Sequence, residues 1–222
     1  MKRSPSPVLV QLIIIMLLYA NTSFTVAWAE LISLHAEDFE HIQFKKIRAS
    51  TYTFHDQLLQ IDVDKSASFL MLPFAEVKKV NRVSFEWRSD GSPRVDSAYH
   101  EEQRTGDDAV FKLGLLLKSD DPSINPFLPS WMKRVEKLLK FPSENMINLV
   151  AAAKHESGEQ WPNPYNKRVT TIAVGSVSSG QGWMKASYQF VQPVDVVGLW
   201  LMADGDNTSS SFSTYIKNIN IE

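Results

Sequence analysis

Apolar and polar residues change places at every second position in one segment after another of this chain. Val83, Phe85 and Trp87 alternate with Ser84, Glu86 and Arg88. Met184, Ala186, Tyr188 and Phe190 alternate with Lys185, Ser187 and Gln189, and Ile219 and Ile221 with Asn218 and Asn220. Phe111, Leu113, Leu115 and Leu117 keep the same beat. Successive side chains on a strand point to opposite faces, so a period of two marks strands with one face on a core and the other toward water. Thr51–Phe54 and Leu58–Val63 read as two short strands around His55-Asp56-Gln57; Ser66–Leu72 reads as another, stopped by Pro73. Val169–Val174 is rich in β-branched residues, and Met146–Ala153 fits a strand or a short helix. Val196–Ala203 is apolar without a break, which predicts a strand buried on both faces. Strands in succession with almost no helix between them predict an all-β fold, with antiparallel sheets packed as a β-sandwich or jelly roll.

One segment keeps a different period. In Ser130–Phe141, Trp131, Met132, Val135, Leu138 and Leu139 recur at helical spacing, with Lys133, Arg134, Lys137 and Lys140 between them and Pro129 and Pro142 at the ends. This predicts a short amphipathic helix inserted among the strands. It either covers an open end of the sandwich or offers a basic face over 130–141 to an anionic membrane or a protein partner.

The N-terminus has the build of a secretory signal peptide. Lys2 and Arg3 precede an apolar core from Val8 to Tyr19, and Ala27-Trp28-Ala29 has the small-x-small pattern of a cleavage site. The core is short of the ~20 residues a bilayer crossing requires. Cleavage after Ala29 leaves 30–222, read as one domain, with no integral membrane segment and a periplasmic or secreted destination. Lys2 and Arg3 leave with the peptide, so the net charge moves from −2 to −4. Such a chain has no phosphate-neutralising stripe and is not expected to bind nucleic acid. It has no cysteine. Disulfides, thiol nucleophiles and thiolate metal sites are therefore excluded, and the core must hold an exported fold alone.

The apolar run ends in Asp204-Gly205-Asp206-Asn207-Thr208, two carboxylates, an amide and a hydroxyl delivered by a rigid strand. These hard oxygens suit Ca²⁺, with Asp204 and Asp206 as the candidate metal ligands. The spacing begins like an EF-hand loop but has Ser209 in place of its glycine and Tyr215 in place of its closing glutamate. The plain alternative is a tight turn in which Asp and Asn side chains bond their own backbone. A long polar stretch, Asp90–Asp108, ends in Asp107-Asp108, which could join the same site. Paired carboxylates can run glycoside hydrolysis when one stays protonated and the other ionised. Trp87, Trp161, Trp183, Trp200 and Tyr165 could offer a flat ring to a sugar. Trp161, between amides and prolines in the 155–167 loop, is the best exposed candidate. The candidate ligand-binding set is thus Asp107, Asp108, Trp161, Asp204, Asp206 and Asn207, with no residue assigned a catalytic role. His35, His41, His55, His100 and His155 are scattered, with no zinc-binding spacing. Gly175–Gly180 is a hairpin sequence rather than a nucleophile elbow.

Several pieces, in order, resemble the bacterial exported "domain of unknown function 3047" family. They are Ser66-Ala67-Ser68, Phe85-Glu86-Trp87-Arg88, Gly106-Asp107-Asp108, Asn163-Pro164-Tyr165, Gly182-Trp183, Met202-Ala203-Asp204-Gly205-Asp206-Asn207-Thr208 and Tyr215-Ile216-Lys217-Asn218-Ile219. The resemblance implies a β-sandwich similar in outline to galactose-binding-like domains. Departures from the pattern are Lys112, where an arginine is implied, Lys185-Ala186-Ser187 after Gly182-Trp183, and the inserted helix. The expectation is an exported β-sandwich that binds a glycan or other envelope ligand through its loops without catalysis. The alternatives are a carbohydrate-active enzyme using the aspartates and a structural or protein-interaction module.

Overall fold

The computed structural model describes residues 29–120, 127–151, 153–175 and 182–222. The expected signal peptide, apart from Ala29, and most of the segment 175–180 expected to be a hairpin lie outside these. The described elements are β1 (Glu30–Leu31), a 3-10 turn (Ala36–Asp38), β2 (Glu40–Gln43), β3 (Thr51–His55), β4 (Leu58–Asp64) and β5 (Ser68–Asp90). α1 (Ala98–Glu101), β6 (Phe111–Lys118), α2 (Ser130–Leu138), β7 (Ser143–Ala151), β8 (Gln160–Pro162), β9 (Val169–Ala173), β10 (Met184–Met202) and β11 (Ser211–Ile221) follow. Among the described residues no helix is long and apolar enough to cross a membrane.

The fold is the expected β-sandwich, and its two layers are made from one continuous hydrogen-bonded path, β3-β4-β11-β5-β10-β6-β7-β9-β8. β5 and β10 are long enough to belong to both layers. Their halves Val80–Trp87 and Met184–Val194 pair in the front layer, beside β11 and β4; Phe69–Pro73 and Gly198–Met202 pair in the back layer, beside β2 and β6. Pro73 therefore does not stop its strand, and the two predicted strands 66–72 and 83–88 are one. Likewise 184–190 and 196–203 are one strand that passes through Pro193. Pro193 lies within the slip of the β5–β10 register between Gln189 and Val194, and Pro73, opposite Gly198, borders the slip between Val196 and Gly198. A missing N–H costs no ladder bond at such a break. All pairs are antiparallel except β7 with β9.

The main core lies between the layers. Leu59, Ile61, Val83, Phe85, Trp87 and Ile216 of the front layer meet Phe111, Leu113, Leu115, Leu149, Leu199 and Leu201 of the back. Phe85 and Phe111 touch edge to face at 5.2 Å across the gap. The alternate residues of the back layer, Phe69, Met71, Leu116 and Met202, with half-buried Trp200, point outward into a second cluster under α2. This explains the unbroken apolar run: Val196–Ala203 has a core on each side. α2 thus covers the outer face of the back layer, not an open end of the sandwich. Its Trp131 stands edge-on to Phe44, Phe69 and Trp200 at 5.5–5.9 Å, and Phe69 stacks on Trp200 at 3.7 Å. The helix comes close because Gly198 has no side chain: a Cβ there would lie 2.9 Å from the Leu72 carbonyl oxygen and 3.3 Å from Leu139. The apolar side of 130–141 is spent inside the molecule, so only its basic outer side, with Lys133 and Lys137 exposed, faces any partner.

Candidate functional site

The acidic corner is real, and it is closed. Leaving β10, the chain turns at Asp204, which is buried; its N–H donates to the Ala109 carbonyl (3.2 Å), and its Oδ1 accepts from the Ala109 N–H (2.9 Å). Gly205 permits the next step, since a Cβ would sit 2.6 Å from the Ser210 carbonyl oxygen. Lys112, buried on β6, extends its ammonium to Asp204 Oδ2 (2.8 Å), to the Asp107 carbonyl oxygen (2.7 Å) and toward Asp107 Oδ1 (3.4 Å). Asp108 Oδ1 accepts from the backbone and side-chain amides of Asn207 (3.3 and 3.1 Å), and Oδ2 from the Thr208 N–H (2.6 Å). Asp107 Oδ2 accepts from Asn163 Nδ2 (3.0 Å), and the Tyr165 hydroxyl lies 2.7 Å from Asn207 Oδ1. Nearby, buried Glu101 accepts from the N–H groups of Lys154 and His155 (2.8 and 3.1 Å). Three loop segments, 90–110, 153–168 and 203–210, are tied together by these bonds.

Burial pushes the Asp107, Asp204 and Asp206 carboxyls up; Lys112 pulls against it in each case. Burial alone would lower the Lys112 ammonium, but Asp107 and Asp204 more than offset it and the net shift is upward. Buried charges of this kind persist when each is paired and hydrogen-bonded. One oxygen each of Asp108, Asp204 and Asp206 lie within 4.8 Å of one another. These three would be the ligands of a cation, but the donor set fits one poorly. Both oxygens of Asp108 and of Asp204 already accept hydrogen bonds, and the Lys112 ammonium sits where a cation would be drawn.

The sequence-predicted residues therefore converge, but not on a pocket that admits a sugar. Asp107, Asp108 and Trp161 line a cavity of about 10 Å³, room for about one water molecule. Trp161 is not exposed, as the loop composition suggested. It is buried among Ala109, Val150, Ala153 and Ala173, with the His155 ring stacked on it at 4.0 Å. That histidine lies six positions before the tryptophan it covers, a contact the prolines and amides of the loop do not reveal. Trp87 is core as well; Trp183 and Tyr165 are the exposed members of the aromatic set, at 38% and 53%.

A larger concavity lies elsewhere, on the outer face of the front layer. It is a groove of about 360 Å³, within the range of small-ligand sites, and includes Arg48, Thr51, Asp62, Asp64, Asp90, Ser211 and Ser213 in its walls. Ser213 Oγ and Gln60 Nε2 donate to Asp62 (2.6 and 2.9 Å), Ser211 Oγ donates to Asp64 (2.9 Å), and Arg48 pairs with Asp64. Pairing of β4, β11, β5 and β10 puts three rows of side chains on this face. Asp62, Ser213 and Asp90 form the first; Gln60, Tyr215 and Arg88 the second; Leu58, Lys217, Glu86 and Lys185 the third. Rows two residues apart are about 7 Å apart along the strands. Trp183 extends the middle row. The Arg88 guanidinium carbon lies 4.2 Å from the Tyr215 ring centre and 5.6 Å from that of Trp183, and Lys217 Nζ lies 4.0 Å from Trp183. Asn218, Lys217 and Lys185 hold Glu86 below the usual carboxylate range. Burial, then Asp90, pushes the Tyr215 phenol up. Of this face only Trp183 was foreseen as a contact. The strand Arg88 and Glu86 occupy is visible in the alternation, but which strands flank it is not.

Fold and surface together define a two-layered β-sandwich with a loop corner knotted from within and one uncovered polar–aromatic sheet face. The chain belongs to the family described as "Protein of unknown function (DUF3047)", whose model matches residues 37–220. No curated protein matches it. Among solved structures it is similar to a variant of a family 29 carbohydrate-binding module (9% identity, 88% of this chain and 92% of that one, TM-score 0.40). It is similar also to a low-affinity xylan-binding module, CBM86, from Roseburia intestinalis (11%, 88% and 95%, TM-score 0.37). A third is the xyloglucanase domain of a type three effector from Sinorhizobium fredii in complex with cellobiose (7%, 88% and 98%, TM-score 0.39). Similarity at that level assigns neither a ligand nor a contact residue to this chain.

Proposed function

We propose that this is an exported protein that binds a glycan, without catalysis, on the uncovered face of its front layer. The observation that carries the reading is the groove of about 360 Å³, with the Tyr215 and Trp183 rings outside its walls but next to it on the same sheet face. Sugars ask for two things at once. Their hydroxyls need carboxylates, amides and hydroxyls already fixed in place, and their C–H faces need aromatic rings. Asp62 is held by Gln60 and Ser213, and Asp64 by Ser211 and Arg48, in the way such a site requires, and Trp183 keeps part of its ring exposed. Export rests on the signal-like N-terminus. The acidic corner, on this reading, is the knot that holds the loops and takes no part in binding.

The test is titration calorimetry of the mature chain against a panel of soluble neutral and acidic polysaccharides, with Trp183→Ala, Asp62→Ala and Asn207→Ala variants. Trp183→Ala and Asp62→Ala are expected to weaken binding tenfold or more while the melting temperature holds. Asn207→Ala is expected to leave affinity unchanged. Absence of binding across the panel, or loss on changing Asn207 with the Trp183 and Asp62 variants unaffected, would overturn the reading.

A further inference from the structure

We infer that the glycan is acidic, and that one carboxylate of a uronic acid residue docks on Arg88 while neutral residues occupy the groove beside it. The inference rests on the glycan reading above and narrows its ligand class. Arg88 stands in the middle of the open face with its guanidinium held between the rings of Tyr215 and Trp183. Among the described residues no carboxylate lies within ion-pair distance of it, not even that of Asp90, two residues along the same strand. Its buried Nε has no hydrogen-bond partner. With Nε buried, the donors left for a ligand are the two terminal NH groups of a half-buried side chain, and an arginine whose plane is fixed by aromatic rings presents them as a prepared end-on fork for a planar bidentate anion. Carboxylate matches that fork. The surroundings reinforce it. Lys217 and Lys185 flank the position, and the acid among them, Glu86, is already engaged by Asn218 and both lysines.

The other end of the same face has the opposite sign. Asp62, Asp64 and Asp90 gather there, with Arg48 as the cation in the groove wall. The row of Asp62 and Asp90 lies about 7 Å from the row of Arg88, roughly one sugar residue away. A polymer with a carboxylate on every residue would bring like charges together there. A polymer in which acidic and neutral residues alternate sets its carboxylate on Arg88 and its hydroxyls on the aspartates.

Three probes separate these cases by calorimetry: a hyaluronan hexasaccharide (alternating glucuronate and neutral N-acetylglucosamine), the same hexasaccharide with its carboxyls reduced to alcohols, and a galacturonate hexamer. The wild-type chain is expected to bind the first at least tenfold more tightly than either of the others. Its affinity should also fall as salt rises from 50 to 300 mM, since exposed charges are screened over that range. Arg88→Met should erase the preference over the reduced probe, and Arg88→Lys should keep part of it; circular dichroism and the melting temperature confirm that both are folded. Equal binding of the intact and reduced hexasaccharides, or a preference that survives Arg88→Met, overturns the acidic ligand and leaves glycan binding standing. Tighter binding of the galacturonate hexamer overturns the alternation. Failure of all three probes while neutral polysaccharides bind also overturns the inference, whereas failure of the neutral panel too removes the glycan reading beneath it.

Discussion

Replacing Lys112 by Met should unfasten the acidic corner, and the loss should depend on pH. The side chain is 6% exposed and its ammonium is the buried cation facing Asp204, whose side chain is 3% exposed, and Asp107. Methionine fills similar volume without charge. Asp204 must then either stay ionised without its counter-ion or take up a proton. For a carboxyl of ordinary pKa 3.8, protonation at pH 7 costs about 4 kcal/mol, at 1.36 kcal/mol for each pH unit, and at pH 5 under about 2 kcal/mol. The first figure agrees with the 3–5 kcal/mol typical of breaking one side of a buried ion pair. Urea unfolding followed by tryptophan fluorescence should show Lys112→Met destabilised by about 4 kcal/mol at pH 7 and by less than half of that at pH 5. Adding Asp204→Asn should recover much of the loss at pH 7. A loss below about 1 kcal/mol at pH 7, or a loss the same at both pH values, would refute the claim that Lys112 neutralises these carboxylates.

The wild-type chain carries a related pH signature. Glu101, Asp107 and Asp206 are all raised, burial being the largest cause in each. A group raised on folding adds stability below its unfolded pKa and loses it as pH climbs through the folded value. The melting temperature should therefore be higher at pH 5.5 than at pH 8; the reverse order would refute the upward shift of these carboxyls, since the exposed carboxylates with downward shifts exchange protons only below that window. Trp131→Ala should cost about 2–4 kcal/mol by differential scanning calorimetry, because Trp131 closes the ring contacts over Phe69 and Trp200; a loss below 1 kcal/mol would mean that α2 is an ornament on the back layer. Finally, 5 mM calcium, or its removal by a chelator, should move the melting temperature by less than 1 °C, since donors already fill the Asp108 and Asp204 oxygens; a shift of several degrees would place the ion at Asp204 and Asp206 after all.

The alternation of period two was enough to find nearly every long strand and the sandwich class, because each inward position is held by the core. It could not join strands across Pro73 and Pro193. A proline read locally is a stop; only the register slip opposite it shows that the ladder needed no N–H there. Asp107, Asp108, Asp204 and Asn207 were legible as a group since polar residues crowded beside apolar strands, before Phe111–Leu117 and after Val196–Ala203, stand out. Their role was not, because the sequence does not show that Lys112, two residues into β6, points into them. The open face was the least legible part. Tyr215, Arg88 and Trp183 come from three separate segments and meet only through the order β11-β5-β10. Trp161 erred in the opposite direction, its exposure inferred from neighbours that say nothing of the His155 ring above it.

Because β5 and β10 each run through both layers, the two halves of the sandwich share backbone as well as side-chain contacts. Such a body cannot part like the covers of a book: any opening of the layers would have to break the ladder at the crease, among Val80, Val194 and Pro73. Whatever settles on the exposed sheet is thus received by a stiff shell, and adjustment to it is left to side-chain rotation and to the connecting segments at the rim.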